Sequence, residues 1–499
     1  DVRGKPEQRY VIFSFSSTLP SRSYSLYHIR MKTLTEKTFF HFVKCPRWVS
    51  RDIIHGKELD KLEDLLLDDS VFPEIRLGVL KSRGEFEHIT DEDQDDAAMR
   101  TLSFMKSGAK TIAGGVLIDE HWVGRPDVLE RVEGKSDLGD YYYVAVDVKR
   151  LHIAEQIKDP HKLQGAFYAE LLFRVQGVKP NSGYILSPEG AILRYDLESF
   201  EADFALTLSE IEKILAGEEP AHILTSGCKT SPYFAMCVDE TESCDDIGLL
   251  NRIQREEVDE LKRAGVSTVL ELALADSKML SQKLLDIDDE RLRFLQTQAI
   301  AMKERLHKVW EKVEFQKSDY EIYFDVESDP LRDADYLFGV LIVEKTADGS
   351  FSERYEAFIA ERPEDEGKAF TAFAALLDEH QDAPVYHFGW YEISVLSRMM
   401  ERYGAPEGAK QSFANNFIDL NAFLRGKIIF PLSFYSLKDL ARYIGFEWRA
   451  EDAGGVNSIR WYHEWLETGN RAFLELFRQY NEDDVRATRK LKEWAEEQG

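Results

Sequence analysis

Cysteine is scarce, with four residues in a chain of 499. That excludes a disulfide-stapled secreted scaffold. Long apolar runs are missing too, so no segment reads as membrane-spanning. Positive charge is in deficit: 63 Lys and Arg face 91 Asp and Glu, a formal net charge of −28. A surface of that sign excludes a general nucleic-acid coat protein. It does not exclude an enzyme that cuts nucleic acid, whose carboxylates hold cations and whose basic residues need line only one groove. The phosphate-cradling pattern G-x-x-x-x-G-K-[ST] is absent, which argues against an NTP-driven helicase. Neither a long-period repeat nor a low-complexity tract occurs. A cytoplasmic protein is expected.

What remains is ample for packed cores: 43% hydrophobic residues, 12% of the chain aromatic. The length predicts two or three domains. Residues 1–30, rich in Ser, Tyr and Arg, read as an extension outside the main folds. Residues 31–245 read as a first α/β domain. It opens with helices, "TEKTFFHF" offering a Thr cap and a first-turn Glu. Short β runs follow as far as "YYYVAVDVKR", then a helix from Asp159 to the Gly177 stop, then a hairpin turning at Pro188 to Gly190. Residues 246–315 form a helical block, two amphipathic helices broken at "AGVST". It resembles a helix-hairpin-helix unit, which grips phosphates at a helix N-terminus, and equally reads as a plain helical linker. Residues 316–499 open with strands "YEIYFDVES" and "YLFGVLIVEK" and close with helices, an α/β sheet domain.

Asp325 and Glu327 sit two apart on a predicted strand, so both side chains leave the same face. Tyr480 and Asp484, four apart on a predicted helix, are neighbours on its surface. Hard oxygen ligands of this kind suit Mg²⁺ or Mn²⁺, and a pair of such ions can promote phosphodiester cleavage. "YFDVES" and "YNEDDVRAT" resemble the first and last motifs of the DEDD exonucleases, the tyrosine subclass, on an RNase H-like fold. That resemblance implies a 3′→5′ exonuclease in which four acids bind two metals and Tyr480 places the attacking water. Glu392 in "HFGWYEISVL" is the nearest match to the middle acid, a Glu where relatives have Asp; Asp419 matches a further acid of the fold.

A second constellation lies upstream. Asp127 in "VGRPDVLE" precedes Asp147 and Lys149 in "VAVDVK", and Gln164 and Tyr168 follow one turn apart on a helix. Two aspartates can hold a metal while a lysine polarises water and screens transition-state charge. The order Gly-x-x-Asp, Asp-x-Lys, Gln-x-x-x-Tyr resembles the PD-(D/E)XK nucleases of the RecB-like branch, which includes iron–sulfur exonucleases. Glu87 occupies the place of that family's upstream acid. The resemblance implies that Cys45, in "KCPRW", joins Cys228 and Cys237 as cluster ligands. The family's remaining cysteine falls at Ser231, a poor ligand, and Cys244 would have to replace it. A [4Fe–4S] cluster, a four-thiolate zinc and no metal at all remain open.

Residues 31–499 thus resemble a bacterial family of RecB-like nucleases fused to an RNase H-like exonuclease domain. The resemblance implies a metal-dependent nuclease acting on nucleic acid, single-stranded DNA first and RNA as an option, with two catalytic domains. Trp122, Phe388 and Trp390 are aromatics placed to stack on bases or to pack a core. The alternative is a catalytically degenerate nucleic-acid-binding or assembly module serving a helicase partner.

Overall fold

The computed structural model describes residues 33–150, 157–450 and 454–498. The sequence-predicted extension over residues 1–30 lies outside them. Three short helices, Glu36–Lys44, Pro46–His55 and Lys61–Leu67, lead the chain in. Thr35 is the N-cap of the first and Glu36 stands in its first turn, as the sequence predicts.

A six-stranded sheet follows, in the order Glu87–His88, Thr111–Ala113, Val128–Ser136, Gly139–Val148, Ser182–Leu186, Ile192–Asp196. Its two central strands form an antiparallel hairpin. Gly139–Val148 then pairs in parallel with Ser182–Leu186, a geometry that needs a crossover. Helix Asp159–Gln176 supplies it. Gly177 ends that helix at φ 74, in the left-handed region that only glycine enters without strain.

The helical block carries Arg255–Arg263, Val269–Leu274, Ser277–Ser281 and Asp289–Glu304. Thr268 caps the second, its side chain accepting from the Glu271 N–H. The block does not pack alone. Val258, Leu261, Leu272 and Leu295 share one buried cluster with Cys45, Trp48, Cys228 and Cys237.

The C-terminal sheet has five strands, in the order Phe351–Ile359, Ala334–Lys345, Tyr320–Asp329, Val385–His387, Phe417–Asp419. The first three make an antiparallel meander and the last two join in parallel. Ala334–Lys345 is an interior strand, buried along its first ten residues, hence its nearly unbroken apolar sequence. The strand alternation sorts its residues by face. Phe324, Phe338 and Val340 pack with Phe370 and Phe373 of helix Glu366–Glu379. Tyr323, Leu341 and Val343 pack with Val485 of the closing helix, Arg471–Glu496. Asp325 and Glu327 have the parity of Tyr323 and therefore face the closing helix.

Candidate metal centre

Asp325, Glu327 and Asp484 converge: each offers a carboxylate oxygen, and the three oxygens lie within 4.8 Å of one another. The strand brings the first two and the closing helix brings the third. Burial raises the carboxyl of Asp325 far above its ordinary range, and the neighbouring Asp484 and Glu327 carboxylates add to it. Glu327 is pushed to about 8, again by burial first and then by Asp484. Burial also raises Asp484, to about 6, against the opposing pull of Lys438 and Trp448. Three hard-oxygen donors that repel one another in a dry site fit a divalent cation of the Mg²⁺ or Mn²⁺ type.

Several residues that support this group carry no signal in the sequence. Asn481 donates from Nδ2 to Asp325 Oδ2 at 2.7 Å, and its Oδ1 accepts from Tyr355 Oη at 2.9 Å. The tyrosine thereby fixes the amide's orientation. Gly339 stands opposite Asp325 in the sheet, and a Cβ there would lie 1.6 Å from Asn481 Oδ1. A glycine at this point admits the asparagine. Trp448 Nε1 donates to Asp484 Oδ1 at 2.6 Å. Lys438, on helix Leu437–Tyr443, donates to Tyr480 Oη at 3.2 Å and lies over the Tyr480 ring. Burial lowers its pKa. A lone Lys, Asn or Trp has no characteristic spacing, so only the assembled fold identifies these residues.

Glu392 stands apart from the three-acid group. Among the described residues its buried Oε2 has no hydrogen-bond partner and lies 3.8 Å from the equally unpartnered Nδ1 of His387. Burial raises its pKa, and its charge is felt at Asp325. Asp419 acts on the backbone, where its Oδ1 accepts from the N–H groups of Gly389, Asn421 and Ala422 and caps helix Leu420–Leu424. Trp390 is 73% exposed. Phe388 is partly buried against two apolar clusters. Trp122 is a core residue stacked on Phe167 at 5.2 Å, which removes it from the candidate base-stacking aromatics.

In the N-terminal region Asp127 and Asp147 lie at the open end of the central hairpin, and the charges of both are felt at Tyr168 on the crossover helix. Gln164 Nε2 donates to Tyr168 Oη at 3.2 Å. Asp147 is buried, which pushes its carboxyl to about 8 against the pull of Lys149. Both oxygens of Asp127 are engaged, one by Arg76 and the other by the Val148 N–H at 2.8 Å. Lys149 Nζ donates to Asp68 Oδ2 at 2.7 Å and Ser70 Oγ at 3.2 Å. Glu87 lies exposed on the edge strand. A glutamate felt at both Asp147 and Tyr168 is instead Glu36, buried with an Oε2 that has no hydrogen-bond partner among the described residues. In sequence Glu36 reads only as a first-turn partner of the helix dipole.

Cys45, Cys228 and Cys237 are buried together, and the Cys45 thiol hydrogen-bonds Cys228, which lowers Cys228 to about 6. Ser231 Oγ is occupied by the Tyr233 N–H. Cys244 is exposed at the far end of helix Phe234–Ser243. Seven residues beyond Cys237 on a helix is about 10 Å along its axis. A four-thiolate site, for an iron–sulfur cluster or for zinc, does not fit these residues as they are arranged.

The C-terminal sheet and its acid cluster make an α/β domain with a carboxylate site that fits a divalent cation. Residues 322–496 match a family model, RNase_H_2, described as RNase_H superfamily. The C-terminal region is therefore an RNase H-like domain within a mixed α/β multidomain chain. No curated protein matches the chain. Among the described residues, no helix is long and apolar enough to cross a membrane.

Proposed function

We propose that the chain is a metal-dependent nuclease whose C-terminal domain, residues 316–499, is a 3′→5′ exonuclease. The observation that carries this reading is the convergence of Asp325, Glu327 and Asp484 on the face closed by the last helix. A divalent cation bound by these three carboxylates would supply Lewis-acid activation of water and of the leaving oxygen. The chain's own residues do the positioning. Asn481 fixes Asp325, and Trp448 fixes Asp484. Tyr480 is held protonated by burial, and its hydroxyl donates toward Asp484 and orients the attacking water. Water attacks phosphorus, the P–O3′ bond breaks, and the strand's new terminal 3′ oxygen takes up a proton. The Lys438 ammonium, near the acids, balances charge that builds on the phosphoryl oxygens. Glu392 Oε2 is a further oxygen open to a cation.

The N-terminal residues 31–245 are read as a RecB-like PD-(D/E)XK domain, with Asp127, Asp147, Lys149, Gln164 and Tyr168 as its site and residues 246–315 as a helical bridge. Its substrate class would be DNA, preferentially single-stranded, with RNA second. A second reading of this domain rests on the pairing of Asp127 with Arg76 and Lys149 with Asp68. With both groups neutralised internally, it would hold nucleic acid without cutting it and act beside a helicase partner.

End-labelled DNA and RNA incubated with Mn²⁺ test both readings through Asp325→Ala and Lys149→Ala. The C-terminal reading requires that Asp325→Ala abolish stepwise loss from the 3′ end. Retained activity in Lys149→Ala assigns catalysis to the C-terminal domain alone. A wild-type protein inert on every substrate removes the enzyme reading.

A further inference from the structure

One cleft runs against the acidity of the chain. It has a volume of about 490 Å³ and lies where three regions meet: Leu224–Lys229, Asn251–Gln254, and the segments around Arg425 and Ser433–Ser436. Its charged lining is Lys229, Arg252 and Arg425, with no carboxylate among the lining residues. Lys229 is neutralised by Asp439 at 2.5 Å. Arg425 has only a 3.4 Å contact to Asn421 Oδ1, and neither it nor Arg252 forms an ion pair among the described residues. Arg252 is held at φ 57, off the ordinary backbone, in the turn before helix Arg255–Arg263. Burial and the Arg425 charge together lower its pKa. Two guanidiniums lining one cleft without a carboxylate in its wall suit an anion.

The cleft is linked to the acid centre by one helix. Ser436, in its wall, caps the helix that sends Lys438 to Tyr480. Asn421, also in its wall, lies on the short helix capped by Asp419.

We propose that this cleft binds the phosphodiester backbone of a single strand whose end occupies the carboxylate centre, Arg252 and Arg425 each receiving a phosphate. The proposal rests on the nuclease reading and names where its substrate is gripped. The grip comes from the junction of the helical bridge with the C-terminal domain, away from the helix-hairpin-helix-like turn at Gly265.

Fluorescence anisotropy of a 5′-labelled oligo-dT strand, in EDTA to prevent cleavage, tests it across a salt series. Each phosphate contact on a single strand contributes about 0.7 to the slope of log K against log salt. Arg252→Ala with Arg425→Ala is expected to weaken binding at least tenfold at low salt and to flatten the slope by about 1.4. Replacement of both by Lys should restore most of the slope. Arg293→Ala, on helix Asp289–Glu304 and outside the cleft, serves as the control for a general loss of positive charge. Equal affinity and slope in wild type and the double Ala variant overturn the cleft and leave the nuclease reading standing. A wild-type protein that binds no strand also overturns the cleft, while the nuclease reading is decided by cleavage with Mn²⁺.

Discussion

At the scale of single residues, the candidate centre depends on side chains that touch no substrate. Asn481→Ala would free Asp325 Oδ2 from the amide that holds it and leave the Tyr355 hydroxyl facing a cavity. Loss of such a supporting contact typically costs 10–100-fold in metal affinity or activity. The expected signature is a higher Mn²⁺ concentration for half-maximal cleavage, with the fold unchanged by circular dichroism. Gly339→Ala acts on the same contact from the other side and is expected to cost about 1–3 kcal/mol by overpacking. Chemical denaturation reads that cost, and activity should fall with it.

Asp69 offers an independent pH test. Burial alone would raise its carboxyl, but the His161 hydrogen bond and the Lys158 charge outweigh it and hold the group at about 2. A depressed acid stabilises the fold above its unfolded value of 3.8, and that contribution is lost as pH falls toward 2. Asp69→Asn keeps a residue type that tolerates φ 55. It should therefore cost ~1–2 kcal/mol at pH 7, with the gap to wild type closing between about pH 4 and 2. Denaturant midpoints across that range measure it. Asp325, Glu327 and Asp484, whose carboxylates converge, were legible by spacing because strand alternation and the helical repeat fix their faces. Asn481, Lys438 and Trp448 were not, since their roles exist only once distant segments meet.

At the scale of elements, the segment Ser226–Thr230 is pressed onto the end of the first helix. A Cβ on Gly227 would lie 2.5 Å from the Lys44 carbonyl oxygen, a backbone atom that cannot step aside. Gly227→Ala is expected to lower stability by about 1–3 kcal/mol and to expose the Cys45 and Cys228 thiols to a thiol reagent. The crossover helix, the Ser182–Asp196 hairpin and the long strands of the C-terminal sheet follow their sequence patterns closely. Phe351–Ile359 escaped, because an edge strand carries charge along its length and lacks the apolar run of its neighbour. Phe417–Asp419 escaped because three residues are too few to show a period. The cysteines misled for a related reason: spacing along the chain does not reveal that Cys244 sits two turns down a helix from Cys237.

At the scale of the whole molecule, ion pairs such as Arg460–Asp60 at 2.6 Å and Lys229–Asp439 bridge the regions. Solvent-accessible pairs of this kind contribute roughly 0–1 kcal/mol each. Apolar contact carries more of the coupling: Phe434 packs edge-on against Phe234 at 5.4 Å, joining the C-terminal domain to the core shared by the N-terminal region and the helical bridge. Far- and near-ultraviolet circular dichroism should report one coincident transition in wild type, and 0.5 M salt should leave it single. Phe434→Ala is expected to separate the transitions or broaden the calorimetric peak.

The glycine opposite Asp325 has a consequence for how activity arises during folding. Its neighbours in the strand are Phe338 and Val340, so a one-residue slip of the meander would put a bulky side chain where Asn481 must enter. The correct strand alignment and a competent acid centre therefore appear in the same event. Recovery of cleavage after dilution from denaturant is accordingly a clock for sheet registration, and it should lag behind the return of helical signal.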